Sequence, residues 1–339
     1  MAKGSLKLWL GISLGGLLLY LFLRGANLPL VFEKIRGANY LLISFGAGLS
    51  LLVYLLRALR WKFLLMPLKK SHLSNLFSTT VIGFMVNSLI PGRLGEIVRP
   101  YLLGQKEGLS KTAAFATIIV ERIFDLIIIL VLFSLYLLLA PALPYLSSEA
   151  SVTLSQVEWS GLISAIAAVA IIALLLLLHM KTALFLKGAE KLFSFLPARF
   201  SQVLLRGINS FAQGLAVLRG KGLLFMVVVY SFVHWLTVCF GMWVILAAFN
   251  IEVPFYLTFF ILIFAATGAA IPTPAGVGAF HKAVQIVLVS FLGIDNDLAV
   301  GTSIVMHAVT FAPVTLLGVV LVWKEGLTIK KIKELPAKS

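Results

Sequence analysis

The stretch NSLIPGRLGEIVRP, residues 87–100, places Arg93, Glu96 and Arg99 within seven residues, beside Asn87 and the helix breakers Pro91, Gly92 and Gly95. A second charged stretch, ERIFD at 121–125, holds Glu121, Arg122 and Asp125. If helical, Arg93, Glu96 and Arg99 share about a third of the circumference. Glu96 can then pair with either arginine, which leaves one positive charge in excess. Glu121 and Asp125 share a face, and Arg122 reaches Asp125 at i, i+3. Clustered arginines suit an anionic headgroup, because a guanidinium grips phosphate with two N–H bonds. The interleaved carboxylates either pair with those arginines or bind a coupling proton. Glu121 is the first choice for the proton because it lies deep beside Arg122.

A second Pro/Gly segment, IPTPAGVGAF at 271–280, repeats the logic without arginine. Thr273 can cap a helix, Pro274 suits a first helical position, and Gly276 and Gly278 keep the backbone open. Helices starting at Pro91 and Pro274 would present free N–H groups and a positive dipole end to an anion. Gly92 and Gly95 would let that anion approach the backbone closely. Tight packing of two turns would explain the glycines equally well, but not the two arginines. The candidate anion-binding set is therefore Asn87, Arg93, Gly95, Arg99, Arg122, Thr273, Gly276, Gly278 and Lys282. The candidates for charge pairing or proton coupling are Glu96, Glu121, Asp125, His281 and His307, since histidine titrates near neutrality.

Other polar residues carry less. His234 lies in an apolar run and reads as a satisfied packing histidine. Asp295, Asn296 and Asp297 read as a loop and helix cap. No Walker loop, zinc spacing or nucleophile elbow is present, so no catalytic residue, metal or cofactor is expected.

The elements that must position these groups are membrane helices. Hydrophobic residues make up 60% of the 339, charged residues 12%, and the mean hydropathy is +1.05. Soluble domains carry about 25% charged residues. Six segments are long enough to cross: about 6–23, 40–57, 113–140, 160–180, 223–249 and 298–323. The first reads as a retained helix and not a signal peptide, because no small-x-small cleavage site follows it. Three shorter apolar stretches, 76–90, 255–271 and 280–292, adjoin the Pro/Gly segments and read as arms of re-entrant hairpins. The single Cys239 gives no disulfide framework.

Charge sets orientation. Stretches 57–75, 181–222 and 324–339 hold 5, 7 and 5 Lys/Arg residues, and 141–159, 250–254 and 293–297 hold none. The first set is then cytoplasmic, as are both termini, although 24–39 carries Arg24, Lys34 and Arg36 on the outer side. The net charge of +15 reads as topology and lipid-headgroup contact, not nucleic-acid binding. The chain becomes two inverted halves, about 1–140 and 160–323, in one transmembrane domain spanning 1–325. Each half holds two spans, a hairpin and a span. The echo of IPGRLG (90–95) in IPTPAG (271–276) supports the repeat. An amphipathic cytoplasmic connection at 182–219 and a basic tail at 326–339 complete the expected plan. In this frame Glu121 lies about 12 Å deep at 1.5 Å per residue. Asp125 lies one turn deeper, where a charge costs about 2.5–3.5 kcal/mol unless it is paired.

The motifs PGRLGEIVR, ERIFD and IPTPAGVGAF resemble the lysylphosphatidylglycerol synthase transmembrane-domain family, also called flippase-like or UPF0104 proteins, over roughly residues 5–325. The Arg93-x-Gly95-Glu96-x-x-Arg99 and Glu121-Arg122-x-x-Asp125 patterns carry most of it. Many relatives place a glutamate where this chain has His281. The resemblance implies movement of a lipid between leaflets of the cytoplasmic membrane. The lipid class would be a modified phospholipid, a polyprenyl-phosphate-linked lipid or a hopanoid. It also implies partnership with a lipid-modifying synthase or glycosyltransferase. A transferase acting on a lipid phosphate, or a non-catalytic partner of such an enzyme, is the rival expectation.

Overall fold

The computed structural model describes residues 2–139 and 220–327, with helical positions 163, 166 and 170. The expected span 160–180, the loop 141–159, the connection 182–219 and the tail beyond 327 lie outside the described residues or touch them only at those three positions. Every regular element among the described residues is helical, as the patterning requires. In chain order they are α1 (Ala2–Leu23), α2 (Leu28–Arg36), α3 (Tyr40–Leu65), α4 (Leu73–Leu89), α5 (Gly95–Glu107), α6 (Lys111–Leu139), α7 (Lys221–Ala248), α8 (Leu257–Ala270), α9 (Ala279–Ile286) and α10 (Asn296–Lys324). A π turn, Val287–Phe291, continues α9.

α3, α6, α7 and α10 are each long and apolar enough to cross a membrane. Pro274–Phe291 also qualifies, and so does α1 from Trp9 if counted with α2, to which it is bent by 85°. With no water in the bilayer core, such segments satisfy their backbone groups internally as helices. Asn39 caps α3 by accepting from the Leu41 and Leu42 N–H groups at 3.0 and 3.2 Å. Asp295 caps α10 through Leu298 N–H at 3.0 Å, as the loop-and-cap reading required. Asp297 accepts from Asn27 N–H at 2.8 Å, tying the start of α10 to the turn before α2.

One sequence expectation is corrected here. α3 does not end at 57 but runs to Leu65, so Arg57 and Arg60 belong to the helix interior and not to a cytoplasmic loop. The stretch 24–39 contains α2, whose Val31 packs on Val300 of α10.

α4 and α5 form one helical hairpin, and α8 and α9 form another. The arms of the first touch at glycine: a Cβ on Gly95 would collide with the Gly83 carbonyl. In the second, a Cβ on Gly268 would lie 2.7 Å from Ala279 O. The two turns meet each other and α1. Arg93 Nη2 donates to Ala269 O at 3.1 Å. A Cβ on Gly11 would lie 2.6 Å from Pro91 Cβ and 3.2 Å from Pro272 O. The two prolines of the sequence echo therefore converge on one residue of the first helix.

Candidate functional site

The charged residues split into two groups, a buried cluster drawn from α3, α5 and α6 and floored by α7, and Arg93 at the hairpin turn, bonded to Ala269 O. Arg60 bridges both acids, with Nη2 3.0 Å from Glu121 Oε1 and Nη1 2.7 Å from Asp125 Oδ1. Arg57 lies 3.5 Å from Glu121 and 3.6 Å from Asp125. Arg99 Nη1 meets Glu121 Oε2 at 3.0 Å. Arg122 reaches Glu121 at 2.9 Å, Asp125 at 3.2 Å and Glu96 at 3.8 Å. From α7, Trp235 Nε1–H donates to Asp125 Oδ1 at 2.9 Å, and Ser231 Oγ accepts from Arg60 at 3.2 Å. The Arg99 guanidinium lies 3.9 Å from the centre of the Trp61 ring, and Trp61 is fixed by its own bond to Thr117 at 2.9 Å.

Helix geometry explains the assembly. Glu121 and Asp125 stand one turn apart on α6, and Arg57 and Arg60 stand at i, i+3 on α3, so two stripes face each other. Sequence reasoning missed Arg57 and Arg60 because it counted them as headgroup contacts. The overlooked signal was two acids in a span with too few cations on their own helix. The anticipated partnership of Arg99 with the ERIFD acids holds, and Arg93 is not part of it.

The cluster is dry on one side and open on the other. Arg60 and Glu121 are fully buried, Arg99 is 2% exposed, and Glu96 and Arg122 have side chains about 30% exposed. The mouth therefore lies between α5 and α6. Among the described residues, four guanidiniums face three carboxylates, an excess of one positive charge. Arg99 Nε and Nη2 and Arg60 Nε are buried with no hydrogen-bond partner among the described residues. A buried donor left unsatisfied costs about 1–3 kcal/mol, more when charged, so these N–H groups call for an acceptor.

Several sequence expectations about the turns are corrected. α5 begins at Gly95 and not at Pro91, and Gly92 and Arg93 adopt left-handed φ values of 91° and 55° before it. Its first amides are already used. Gly95 N–H donates to Asn87 Oδ1 at 2.7 Å, Glu96 N–H to Arg93 O and Ile97 N–H to Leu94 O. Asn87 is thus a cap and Gly95 a packing contact. The first hairpin's helix end is not an open anion cradle.

In the second hairpin, Pro274–Gly276 form only a short 3-10 turn, and α9 starts at Ala279. Thr273 does not cap it but donates to Val277 O at 3.1 Å. Gly276 and Gly278 take φ of 70° and 80°, and a Cβ on Gly278 would lie 2.6 Å from Leu18 and Leu19 of α1. Their openness serves turn geometry and close packing. Lys282 turns to Gln285 at 2.9 Å, and Gln285 bonds Asn296, so Lys282 joins neither group. His281 and His307 lie against each other with ring centres 4.3 Å apart and planes tilted by 31°. His234 is not a satisfied histidine: it is fully buried beside Trp235, and neither ring nitrogen has a partner among the described residues.

Comparison with known proteins finds membrane proteins. A UPF0104 membrane protein of Methanothermobacter thermautotrophicus is 22% identical over 316 residues, covering 88% of this chain and 90% of its own. One UPF0104 membrane protein of Methanocaldococcus jannaschii is 24% identical over 237 residues, covering 70% and 92%. Another from that organism is 34% identical over 95 residues, covering 27% and 28%. No solved structure matches. The family described as lysylphosphatidylglycerol synthase TM region matches residues 8–318. The chain is a multi-pass membrane protein that belongs to the lysylphosphatidylglycerol synthase TM region family.

Proposed function

We propose that this protein carries an anionic, phosphate-bearing lipid between leaflets of the cytoplasmic membrane, with both termini in the cytoplasm. The observation that carries this reading is the buried guanidinium excess, with unpartnered N–H groups on Arg99 and Arg60 behind a mouth at Glu96 and Arg122. One monoanionic phosphodiester supplies the missing charge and acceptors. The lipid tails stay in the bilayer, so only the headgroup enters the protein.

The acids divide the work. Glu121 and Asp125 hold the arginines in place, each facing three or four guanidiniums. Among the described residues Glu96 has only Arg122, at 3.8 Å. A phosphate that takes Arg122 leaves Glu96 without a cation, and a proton can then replace it. Glu96, and not Glu121, is the carboxylate placed to exchange charge with the headgroup.

The test is reconstitution. Purified protein in liposomes should move a fluorescent anionic phospholipid between leaflets, and Arg99→Ala should abolish this while the protein still inserts. Normal movement by Arg99→Ala, at wild-type protein levels, would refute the site. The family's name favours one second reading, a membrane partner of a lipid-modifying synthase. Copurification with such an enzyme, together with no movement of lipid in liposomes, would select it.

A further inference from the structure

The second hairpin carries a histidine pair that the anion site does not use. His281 lies at the start of α9 and His307 in the middle of α10. Their ring centres lie 4.3 Å apart with the planes tilted by 31°, and Phe22 of α1 lies 5.0 Å from His281 and Phe311 4.6 Å from His307. His281 is 5% exposed.

Each ring holds one end of the irregular segment before α9. Gly278 N–H donates to His281 Nδ1 at 3.2 Å. His307 Nε2 lies 2.9 Å from Ala275 O. A carbonyl only accepts, so His307 bears hydrogen on Nε2. An amide N–H only donates, so His281 Nδ1 must be bare and its hydrogen sits on Nε2. Between these two anchors lie Ala275, Gly276 and Gly278, all with positive φ, at 52°, 70° and 80°. Ala275 is the costly one, because a side chain disfavours the left-handed region.

We propose that His281 is a proton-binding site and, with His307, a latch on the second hairpin, such that a proton on His281 Nδ1 releases residues 275–278. The added proton would point at the Gly278 N–H, turning a hydrogen bond into two opposed donors. His307 can take a proton on Nδ1 and keep its bond to Ala275 O, so the two histidines are not equivalent. With both rings charged, two cations would lie stacked in a site otherwise walled by phenylalanine. Release would free Gly276 from Ala269 at the end of α8, whose carbonyl accepts from Arg93, and Gly278 from Leu18 and Leu19 of α1, and so would loosen the contact between the two hairpins.

No other charge intervenes among the described residues. α8 has no ionisable residue. On α9, Lys282 is turned to Gln285. On α10, Asp297 is engaged with Asn27 N–H, and Tyr20 of α1 and Arg24 just after it are exposed. His307 is the one ionisable side chain that faces His281 among the described residues.

The closed latch has no room for the proton and the open one does, so acid shifts the balance toward opening. Below about pH 6.5, the ordinary value for a freed histidine, opening should rise about tenfold per pH unit. Hydrogen exchange of the intact protein in nanodiscs, corrected for intrinsic rates, reads this directly. Peptides covering 271–286 should open about fiftyfold more often at pH 4.5 than at 6.5, since the freed histidine is already half protonated at 6.5, while peptides from α3 stay constant. His281→Gln offers a non-titrating acceptor to Gly278 and should remove the acid response. His307→Gln keeps a donor for Ala275 and should retain it. A pH-independent wild-type segment overturns the latch, as does an unchanged acid response in His281→Gln or its loss in His307→Gln alone. None of these readouts involves lipid, so the latch can fail while the anion site stands, and the reverse.

Discussion

Arg99 Nη1 sits 3.0 Å from Glu121 Oε2, while the flat face of the same guanidinium lies 3.9 Å from the centre of the Trp61 ring. One edge is therefore committed to a carboxylate and one face to an indole, and Nε and Nη2 are left over. The residue is held rigidly by its protein contacts while keeping two donors free. That is the preorganisation an anion site needs, because little rotamer entropy remains to be lost on binding. It also separates Arg99 from Arg93, which is exposed and bonded to a carbonyl.

Arg99→Lys should consequently fail to substitute. Lysine keeps the charge but loses the planar stack and the second pair of donors. Binding of an anionic lipid, followed by native mass spectrometry, should weaken at least tenfold, about 1.4 kcal/mol. Arg93→Lys should bind within a few-fold of wild type. Equal sensitivity at the two positions would mean that the turn and the cluster form one contact surface.

The Arg60–Asp125 pair tests the energetics of the cluster. Removing one partner of a buried ion pair costs about 3–5 kcal/mol, because the other charge is left buried alone. Asp125→Leu and Arg60→Met should each lower thermal stability in detergent sharply. The double variant should recover much of that loss, since matched apolar replacement of a buried pair is often neutral. Additive losses would show that Arg60 serves Glu121 more than Asp125.

How much of this was legible beforehand follows from which signals are local. Helical class, the spans at α3, α6, α7 and α10, and the Arg122–Asp125 pair were readable, since apolar runs and i, i+3 or i, i+4 spacing are properties of one segment. The depth of Arg57 and Arg60 was not. A positive charge at a span's end looks the same in sequence whether it snorkels to headgroups or turns inward to an acid on another helix. The prolines misled about helix starts for a similar reason. Pro91 and Pro274 suit a first helical position, yet left-handed residues after each delay α5 to Gly95 and α9 to Ala279. Whether a glycine opens a cradle or admits a neighbour depends on a chain segment elsewhere, Gly83 for Gly95 and Leu18 for Gly278.

Asn87 and Gly95 give a local test of that correction. Asn87→Ala leaves the Gly95 N–H unmatched and should cost about 1 kcal/mol, the usual worth of a helix cap. Gly95→Ala would drive a methyl into the Gly83 carbonyl and should cost about 1–3 kcal/mol or more, by separating α4 from α5. Both are read from thermal unfolding in detergent. If instead Gly95→Ala were stable and only lost lipid binding, the residue would be a cradle after all.

Gly11 is the last and most demanding position. It stands on α1, far in sequence from both hairpins, yet Pro91 and Pro272 both press against the space where its side chain would be. Prolines cannot yield by rotating a side chain, and Pro272 contributes a backbone oxygen, so the clash cannot be relieved by a rotamer change. Gly11→Ala should therefore push α1 off the two turns, lowering stability by about 1–3 kcal/mol. Gly16 lies on the same helix with nothing within 4 Å of a Cβ. Gly16→Ala should be neutral or stabilising by up to about 1 kcal/mol, from helix propensity alone. The pair separates a general glycine effect from the specific meeting of the hairpins. A spin-label pair spanning the two turns, at Ser88 and Thr267, should lengthen in Gly11→Ala and stay fixed in Gly16→Ala. Identical distances in both variants would mean that α1 rests beside the hairpin tips without holding them together.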